Sequence, residues 1–246
     1  MFFNLFKTKR EPRPIFEALG TDMHCHLVPR VDDGSKCVEE SIECLQTLKA
    51  VGYSKVFITP HFCVPRFPNN EEDIKARYEE LKRQVKEAGV EIELAGIAGE
   101  YRIDSGFAPR LEAPRFLQIA GKYVLVEFPL HQQLMGCDEL IFDMQMKGYE
   151  VILAHPERYP YLSVNSSRME QLKNQGVYFQ INALSLGGFY GDEARKKAYT
   201  MLDNKWVEFM GTDTHNTLYA QALSDLTCDR KVAKVLETYE FLNKTL

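Results

Sequence analysis

Seven short apolar segments recur along this 246-residue chain and constrain its fold more than any other feature. Most are near-continuous hydrophobic runs, which are typical of parallel strands buried on both faces. Several of the stretches between them have the periodicity of amphipathic helices. Because no glycine-rich nucleotide loop accompanies this alternation, it favours an α/β fold, a distorted barrel of seven β/α units, over a dinucleotide-binding fold. The predicted strands cover residues 21–26, 55–61, 91–100, 123–128, 150–155, 177–182 and 207–213.

Helix boundaries are marked by capping residues at a few positions. Asn70 is a predicted N-cap of a helix that Gly89 ends, and Ser35 is a predicted N-cap of an earlier helix. A long helix is predicted over residues 218–242. The segment 108–122 contains two prolines and is interpreted as a loop with a hairpin arm.

The sequence predicts a single domain, because it has no internal repeat, low-complexity tract or linker. We assign residues 21–246 to this domain and residues 1–20 to an N-terminal tail. Residues 1–6 are mostly apolar and basic residues follow them. This order does not fit a signal peptide; it fits a frayed or docked tail, with weak contact to an anionic membrane surface as the alternative.

Composition and charge exclude several functional classes. Hydrophobic residues make up 45% of the chain and charged residues 26%, which is ordinary globular usage. The net charge is −5 and no basic face is visible, so nucleic acid is not expected as a partner. No apolar run approaches the roughly 18 residues of a transmembrane helix. The six cysteines form no C-x-x-C pair, which fits reduced thiols and a cytoplasmic location.

Polar residues fall at the ends of six of the seven predicted strands, and each of these ends carries a histidine or a carboxylate. In a barrel, the carboxyl ends of the strands meet at the face where such folds perform chemistry. His24 and His26 are two residues apart on a strand, so both side chains project from the same face. Five of the six histidines belong to this set, which comprises His24, His26, His61, Glu100, Glu127, His155, Asp213 and His215.

This combination of side chains predicts a metal centre. Imidazoles and carboxylates without a thiolate suit Mn, Fe or Zn, with Mn as our first expectation. The candidate ligands are too many for one ion, so we expect two or three divalent ions. Neighbouring ions of this kind serve phosphoester hydrolysis, because they generate hydroxide at neutral pH and neutralise the developing phosphate charge.

A series of short motifs resembles the PHP (polymerase and histidinol phosphatase) superfamily and, within it, the bacterial capsule-regulating tyrosine phosphatases. The opening motif runs Asp22-Met23-His24-Cys25-His26-Leu27-Val28-Pro29 and is followed by Val31-Asp32-Asp33-Gly34. The match continues in order through Thr59-Pro60-His61, Gly99-Glu100, Val126-Glu127-Phe128-Pro129, Ala154-His155-Pro156-Glu157-Arg158-Tyr159, Gln180-Ile181-Asn182-Ala183 and Asp213-Thr214-His215-Asn216. The resemblance covers the chain from about Thr21 onwards.

This resemblance implies a trinuclear metal cluster in a distorted seven-stranded barrel. It also implies dephosphorylation of phosphotyrosine on a tyrosine kinase that controls polysaccharide export. It adds Asp33 to the eight candidate ligands above, with Asp32 as a turn residue or a residue that supports a ligand. Arg158 matches the phosphate-binding arginine of the family, which agrees with the bidentate geometry of a guanidinium.

Two departures from the family pattern concern substrate binding. Arg30 stands where relatives usually have glycine, and it either reaches the substrate or faces solvent. The segment after His215-Asn216 lacks the second basic residue that relatives often carry there. Aromatic residues near the strand ends, Phe189 or Tyr190 and also Tyr101 with Arg102, are candidates for contact with a substrate ring.

The hypothesis from the sequence is hydrolysis of a phosphomonoester by a metal-bridging hydroxide, without a phosphoenzyme. Arg158 would stabilise the phosphoryl charge, and a proton from water, His61 or His215 would reach the leaving oxygen. A Cys25 nucleophile is disfavoured, since only four residues separate it from Arg30. Two alternatives stay open: a small-molecule phosphatase such as histidinol phosphatase, and a metal-binding regulatory protein without turnover.

Overall fold

The computed structural model describes residues 11–112, 116–132, 134–164 and 166–246. Within these ranges the chain forms nine short strands, all paired in parallel. The strands are β1 (Thr21–Asp22), β2 (Lys55–Ile58), β3 (His61–Phe62), β4 (Glu93–Ile97), β5 (Glu100–Arg102), β6 (Tyr123–Glu127), β7 (Glu150–Ala154), β8 (Tyr178–Asn182) and β9 (Phe209–Gly211).

The strands form two parallel sheets, one with the order β1-β2-β4 and one with the order β3-β5-β6-β7-β8-β9. Two of the seven predicted strands are therefore divided, the second into β2 and β3 and the third into β4 and β5. Pro60 has no N–H and lies at the first division, while the register shifts after Val56 within β2. Across the divisions the backbone contacts continue, since Glu100 N donates to the oxygen of Pro60 at 3.0 Å.

The outer segments of the two sheets also meet. Cys25, which follows β1, forms a parallel bridge with Thr214, which follows β9. His26 N donates to Thr214 O at 2.8 Å, and Asp213 N donates to His24 O at 2.7 Å. Only two residues of the first predicted strand thus form a regular strand, β1. Its remaining residues are held by these contacts to the segment that follows β9.

The described residues form nine α-helices. They are α1 (Val38–Ala50), α2 (Glu71–Glu87), α3 (Phe107–Glu112), α4 (Cys137–Met146), α5 (Ser167–Asn174), α6 (Ala183–Leu186), α7 (Asp192–Asp203), α8 (Thr217–Leu226) and α9 (Arg230–Thr238). None of them is long and apolar enough to span a bilayer.

Three helix predictions can be compared with these bounds. Asn70 is confirmed as the N-cap of α2, because its side chain accepts from Asp73 N. The prediction for Ser35 is wrong, since α1 begins after Cys37. The long helix over 218–242 is also wrong: Asp229 caps a new helix, α9, so the segment contains two helices with a turn between them.

The core lies between the strands and the helices, with a second apolar cluster between the sheets. Phe57 of the first sheet and Leu125, Ile152 and Phe209 of the second belong to this inner cluster. The described part of the N-terminal segment also packs on the body. Phe16 is fully buried and stacks on Tyr53, with 5.1 Å between the ring centroids. Residues 1–10, including the predicted membrane-contacting segment 1–6, lie outside the described residues.

Candidate metal centre

Eight histidine and carboxylate side chains meet at or just beyond the carboxyl ends of β1, β2, β4, β6, β7 and β9, as their sequence positions predict. Two of them, His61 and Glu100, are also the first residues of β3 and β5. We call this group the strand-end cluster. It comprises His24, His26, His61, Glu100, Glu127, His155, Asp213 and His215. Because all the strands are parallel, their carboxyl ends lie at the same edge, and residues far apart in the sequence come into contact there.

Glu100 occupies the middle of the strand-end cluster. Its Oε2 atom lies 3.3 Å from His24 Nε2, 3.3 Å from His26 Nε2 and 3.0 Å from His61 Nδ1. Its Oε1 atom lies 3.0 Å from His155 Nε2. Glu100 is fully buried, so this carboxylate joins four imidazoles away from solvent.

Asp213 closes a second side of the strand-end cluster. Its Oδ1 atom lies 3.4 Å from the Nε2 atoms of both His24 and His26. His24 Nε2 and His26 Nε2 are themselves 3.2 Å apart. Two neutral imidazoles cannot both direct an Nε2 lone pair at each other over this distance unless a proton or a cation lies between them. The arrangement therefore requires a positive charge between these two nitrogens.

Asp33 lies at the solvent edge of the strand-end cluster. Its Oδ1 atom is 3.4 Å from His61 Nε2 and 3.6 Å from His215 Nε2. It is 38% exposed, more than any member of the cluster. The structure therefore brings all nine candidate ligands together, with Asp33 on the outside.

The donor set fits divalent cations. Four overlapping groups of three residues have ligand atoms within 4.8 Å of one another: His26, His61 and His215; His24, His26 and Asp213; His24, Glu100 and His155; and His61, Glu100 and Glu127. The buried Oε2 of Glu100 accepts no hydrogen bond, although three imidazole nitrogens surround it. An unsatisfied buried oxygen in a pocket of nitrogen and oxygen donors, with no cysteine in the four groups, is what Mn, Fe or Zn would satisfy.

Side chains behind the strand-end cluster fix the orientation of its imidazoles. Gln180 Oε1 lies 2.9 Å from His24 Nδ1, and Asp32 Oδ2 lies 2.8 Å from His26 Nδ1. With their Nδ1 atoms held in this way, both rings direct Nε2 towards Glu100 and Asp213. Such support sets the tautomer and raises the basicity of a ligand imidazole.

Arginine side chains border the strand-end cluster and pair with its acids. Arg158 donates through Nη1 to Asp213 Oδ2 at 2.7 Å, and its guanidinium lies 4.2 Å from the ring centroid of Tyr190. Arg102 donates through Nε to Glu127 Oε1 at 2.8 Å. Arg158 therefore lies directly beside one of the candidate ligands.

The backbone is strained at two candidate ligands. His155 has a φ of +36° and Asp213 a φ of +54°, both in the left-handed region that residues other than glycine seldom adopt. Strained residues of this kind cluster at functional sites, because the surrounding structure must hold them there. In both cases the unusual backbone follows a buried strand and turns the side chain into the cluster.

Burial and neighbouring charges shift the pKa values within the cluster. Burial lowers the pKa of His24, but the Glu100 and Asp213 carboxylates outweigh it and raise the pKa to about 9. Burial and the charge of Glu100 raise the pKa of Glu127 to about 7. Burial and the Arg158 guanidinium lower the pKa of His155 to about 4. The pKa values of these buried groups are therefore shifted in opposite directions, because each group's protonation depends on the charges of its neighbours.

Comparison with known proteins identifies the family. A family model described as capsular polysaccharide synthesis, CpsB/CapC, matches residues 20–239. The chain belongs to the CpsB/CapC family. CapC of Staphylococcus aureus is 31% identical over 226 residues, which cover 89% of this chain and 86% of CapC. The tyrosine-protein phosphatase YwqE of Bacillus subtilis is 30% identical over 198 residues, which cover 79% of this chain and 77% of YwqE.

A solved structure shares the fold of this CpsB/CapC-family chain. It is one of the crystal structures of YwqE from Bacillus subtilis and CpsB from Streptococcus pneumoniae. Those two proteins are described as unique metal-dependent tyrosine phosphatases. The TM-score is 0.78 at 24% identity, and the match covers 92% of this chain and 90% of the other. The lactonase Lmo2620 of Listeria monocytogenes matches less well, with a TM-score of 0.51 at 13% identity.

Several other residues that the sequence singled out in this CpsB/CapC-family chain lie away from the cluster. Tyr101 is fully buried and its hydroxyl accepts from Leu117 N, so it does not contact a substrate ring. Arg30 is exposed, has a φ of +60°, and donates to the oxygen of Lys36. Cys25 is buried with its Sγ against the oxygen of Phe57 at 3.5 Å, and burial raises its pKa, which excludes a ready thiolate.

The sequence analysis did not predict that Asn182 and Tyr190 contact Asp213. Asn182 donates through Nδ2 to Asp213 Oδ2 at 2.8 Å, and the Tyr190 hydroxyl lies 3.5 Å from the same oxygen. Asn182 ends the sixth predicted strand, the one that carries neither a histidine nor a carboxylate at its end. A rule that included amides at strand ends would have found it.

Proposed function

We propose that this chain is a metal-dependent tyrosine-protein phosphatase. The observation that carries the proposal is the convergence of five imidazoles and three carboxylates in four overlapping groups of ligand atoms, with a fourth carboxylate, Asp33, at the solvent edge. The relatives YwqE and CpsB support it, since both are named tyrosine-protein phosphatases and each match covers 79% of this chain.

We propose further that the two sheets are arcs of one distorted barrel with seven strand positions, of the PHP type. Three observations support closure: the contacts that continue across the divided strands, the bridge between Cys25 and Thr214, and the apolar cluster shared by both sheets. In this interpretation residues 21–246 form one catalytic domain, and residues 11–20 pack on its surface.

The centre is proposed to hold two or three divalent ions, with Mn as the first choice and Fe or Zn as alternatives. The proposed ligands are His24, His26, Asp33, His61, Glu100, Glu127, His155, Asp213 and His215. Carboxylate oxygens make up four of these nine ligands, which favours a harder ion such as Mn. When bound, such ions activate water at neutral pH and neutralise phosphate charge.

The roles of the protein side chains follow from their exposure. Arg158 is proposed to bind the phosphoryl oxygens, since its guanidinium lies at the edge of the centre and can bind phosphate in a bidentate manner. His61 and His215 have side-chain exposures of 9% and 13%, whereas His24 and His26 have none. They are therefore the imidazoles of the cluster that can exchange a proton with a leaving oxygen near solvent.

The expected substrate is a phosphotyrosine protein, and we propose a bacterial tyrosine kinase that regulates capsular polysaccharide synthesis. The family description supports the link to the capsule. A cytoplasmic location would place the enzyme with such a kinase. The exposed ring of Phe189 packs against Tyr190 and Tyr219, and Tyr219 in turn contacts the ring of His215, so we propose Phe189 as a contact for the substrate ring.

The proposal is tested by metal reconstitution of the purified chain under anaerobic conditions, followed by assays on a phosphotyrosyl peptide and on histidinol phosphate. We expect hydrolysis of the peptide with Mn, a preference over histidinol phosphate, and loss of both activity and bound metal in Asp213→Ala. Preference for histidinol phosphate would favour a small-molecule phosphatase. Full metal binding without turnover of either compound would favour a regulatory protein.

A further inference from the structure

Among the described residues, three arginines border the centre, and each pairs with a different candidate ligand. Arg158 pairs with Asp213 at 2.7 Å, Arg102 with Glu127 at 2.8 Å, and Arg66 with Asp33 at 3.1 Å. The first two are mainly buried, with side-chain exposures of 19% and 23%, whereas Arg66 is 61% exposed. The three guanidinium groups therefore differ in how freely they can reach a ligand from solvent.

Arg102 is engaged on several sides. Its Nε and Nη2 atoms both contact Glu127 Oε1, and its Nη1 atom donates to Cys63 Sγ at 3.2 Å. All three nitrogens thus contact protein groups. Arg102 is therefore built into the wall of the centre, with each of its three nitrogens already in contact with a protein group.

Arg66 has a different set of contacts. Its ion pair among the described residues uses one nitrogen, Nη2, and reaches Oδ2 of Asp33. The other oxygen of Asp33, Oδ1, faces His61 and His215. The cation is therefore on the solvent side of the candidate ligand, and its remaining nitrogens point to no charged group in the part of the chain that the structure describes.

A short turn holds Arg66 at this edge despite its exposure. Cys63 N donates to the oxygen of Phe67 at 3.0 Å, and Phe67 N donates back to the oxygen of Cys63 at 2.6 Å. The guanidinium lies 4.9 Å from the ring centroid of Phe67. That ring lies parallel to the ring of His61 at a centroid distance of 5.7 Å. Arg66 is thus attached to the same strand end that supplies a candidate ligand.

We propose that Arg66 is a substrate-binding residue that binds the phosphate group from the solvent side, while Arg158 binds it from within the centre. This inference rests on the proposed function, because it assumes that a phosphate group binds at the centre. A guanidinium presents its donors in a planar fork that matches phosphate oxygens, so the nitrogens left over from the Asp33 pair are suited to this ligand. Arg66 and Arg158 then hold the phosphate between two cations.

The first experiment compares steady-state kinetics of Arg66→Gln, Arg66→Lys and Arg83→Gln on a phosphotyrosyl peptide with the metal-loaded protein. Arg83 is the matched control, because it is an ion-paired arginine of similar exposure on α2. We expect Arg66→Gln to raise KM about tenfold with little change in kcat, the lower end of the effect of a charge-assisted hydrogen bond at an exposed site. Arg66→Lys should recover part of the loss, and Arg83→Gln should behave as wild type. An unchanged KM in Arg66→Gln would overturn the proposal.

The second experiment measures the binding of inorganic phosphate to the metal-loaded protein by calorimetry, together with metal content. If Arg66 binds phosphate, Arg66→Gln weakens phosphate binding while the metal content stays at the wild-type value. If Arg66 only orients Asp33, the variant loses metal and kcat falls, which would also overturn the proposal. A wild-type protein that binds phosphate without hydrolysing any phosphotyrosyl peptide would refute the proposed function, and the phosphate titration would still decide the role of Arg66.

Discussion

Asp32 is the side chain whose replacement tests the geometry of the centre most directly. Its Oδ2 atom lies 2.8 Å from His26 Nδ1 and accepts from His61 N at 2.9 Å, while Oδ1 accepts from Gly34 N at 2.9 Å. The side chain is 1% exposed. One buried carboxylate therefore holds a candidate ligand ring, the backbone of a second candidate ligand and the turn after Asp33.

Asp32→Asn cannot preserve all three contacts, because an amide has only one oxygen acceptor. With that oxygen in the place of Oδ2, the amide N–H groups face the N–H of Gly34. With the amide reversed, an N–H group faces His26 Nδ1, and the ring then carries its proton on Nε2, which cannot bind a metal. Loss of such a supporting contact typically costs 10- to 100-fold in metal affinity, or about 1.4 to 2.7 kcal/mol.

The assay is competition between the protein and a chelator for Mn, with circular dichroism to confirm that the variant is folded. Asp104→Asn is the matched control, because Asp104 accepts from the backbone N–H groups of Val64 and Gly106 and contacts no cluster imidazole among the described residues. We expect weaker metal binding in Asp32→Asn and wild-type binding in Asp104→Asn. A folded Asp32→Asn protein with unchanged metal affinity would refute the proposed coupling of Asp32 to the centre.

Two further predictions concern stability. In the metal-free protein the pKa of His24 is about 9, above its ordinary value of 6.5, so this group stabilises the fold below pH 6.5 and its contribution is lost as the pH rises to 9. The melting temperature of chelator-treated protein should therefore fall between pH 7 and pH 9, and an equal fall in His24→Asn would contradict this origin. Phe16→Ala should lower the free energy of unfolding by about 3 to 5 kcal/mol, because the buried ring stacks on Tyr53. The control Phe142→Ala, at a half-exposed ring, should change it by less than about 0.5 kcal/mol in urea titration, and equal effects would show that residues 11–20 do not pack as described.

The cluster could be predicted from the sequence because two simple periodicities decide it. Side chains two apart on a strand share a face, which places His24 beside His26. Parallel strands bring their carboxyl ends to one edge, which collects His61, Glu100 and His155 from distant positions. Neither rule depends on the exact length of a strand. The predicted meeting of these side chains is therefore unaffected by the division of two strands and by the shortness of β1.

The roles of Asp32 and Asp33 could not be separated by the same rules, because both residues lie in a loop. Their difference depends on how the loop folds back onto His26. A Cβ atom at Gly34 would collide with the carbonyl oxygen of His26, so glycine is needed for this close approach. The fold of the loop turns Asp32 inwards to the ring of His26 and leaves Asp33 at the solvent edge.

The pair between Arg66 and Asp33 was equally invisible in the sequence. The two residues are separated by α1, β2 and β3, and Arg66 follows the end of β3 by several residues, in a turn that no periodicity describes. The error in the C-terminal helix has a related cause. The sequence of residues 218–242 is compatible with one continuous helix, but the side chain of Asp229 caps a new helix within it. Local hydrogen bonding at Asp229 therefore decides where the helix is divided.

The charge of the centre links metal binding to substrate binding. In the part of the chain that the structure describes, the five carboxylates Asp32, Asp33, Glu100, Glu127 and Asp213 are accompanied by three guanidinium groups, those of Arg66, Arg102 and Arg158. With neutral imidazoles the centre is therefore negative and would repel a phosphate dianion. Two divalent ions, as proposed above, would reverse this sign, and they would also occupy the carboxylates that pair with Arg66 and Arg158. The acids proposed to bind the metals are thus the same groups that pair with Arg66, Arg102 and Arg158 when no metal is bound.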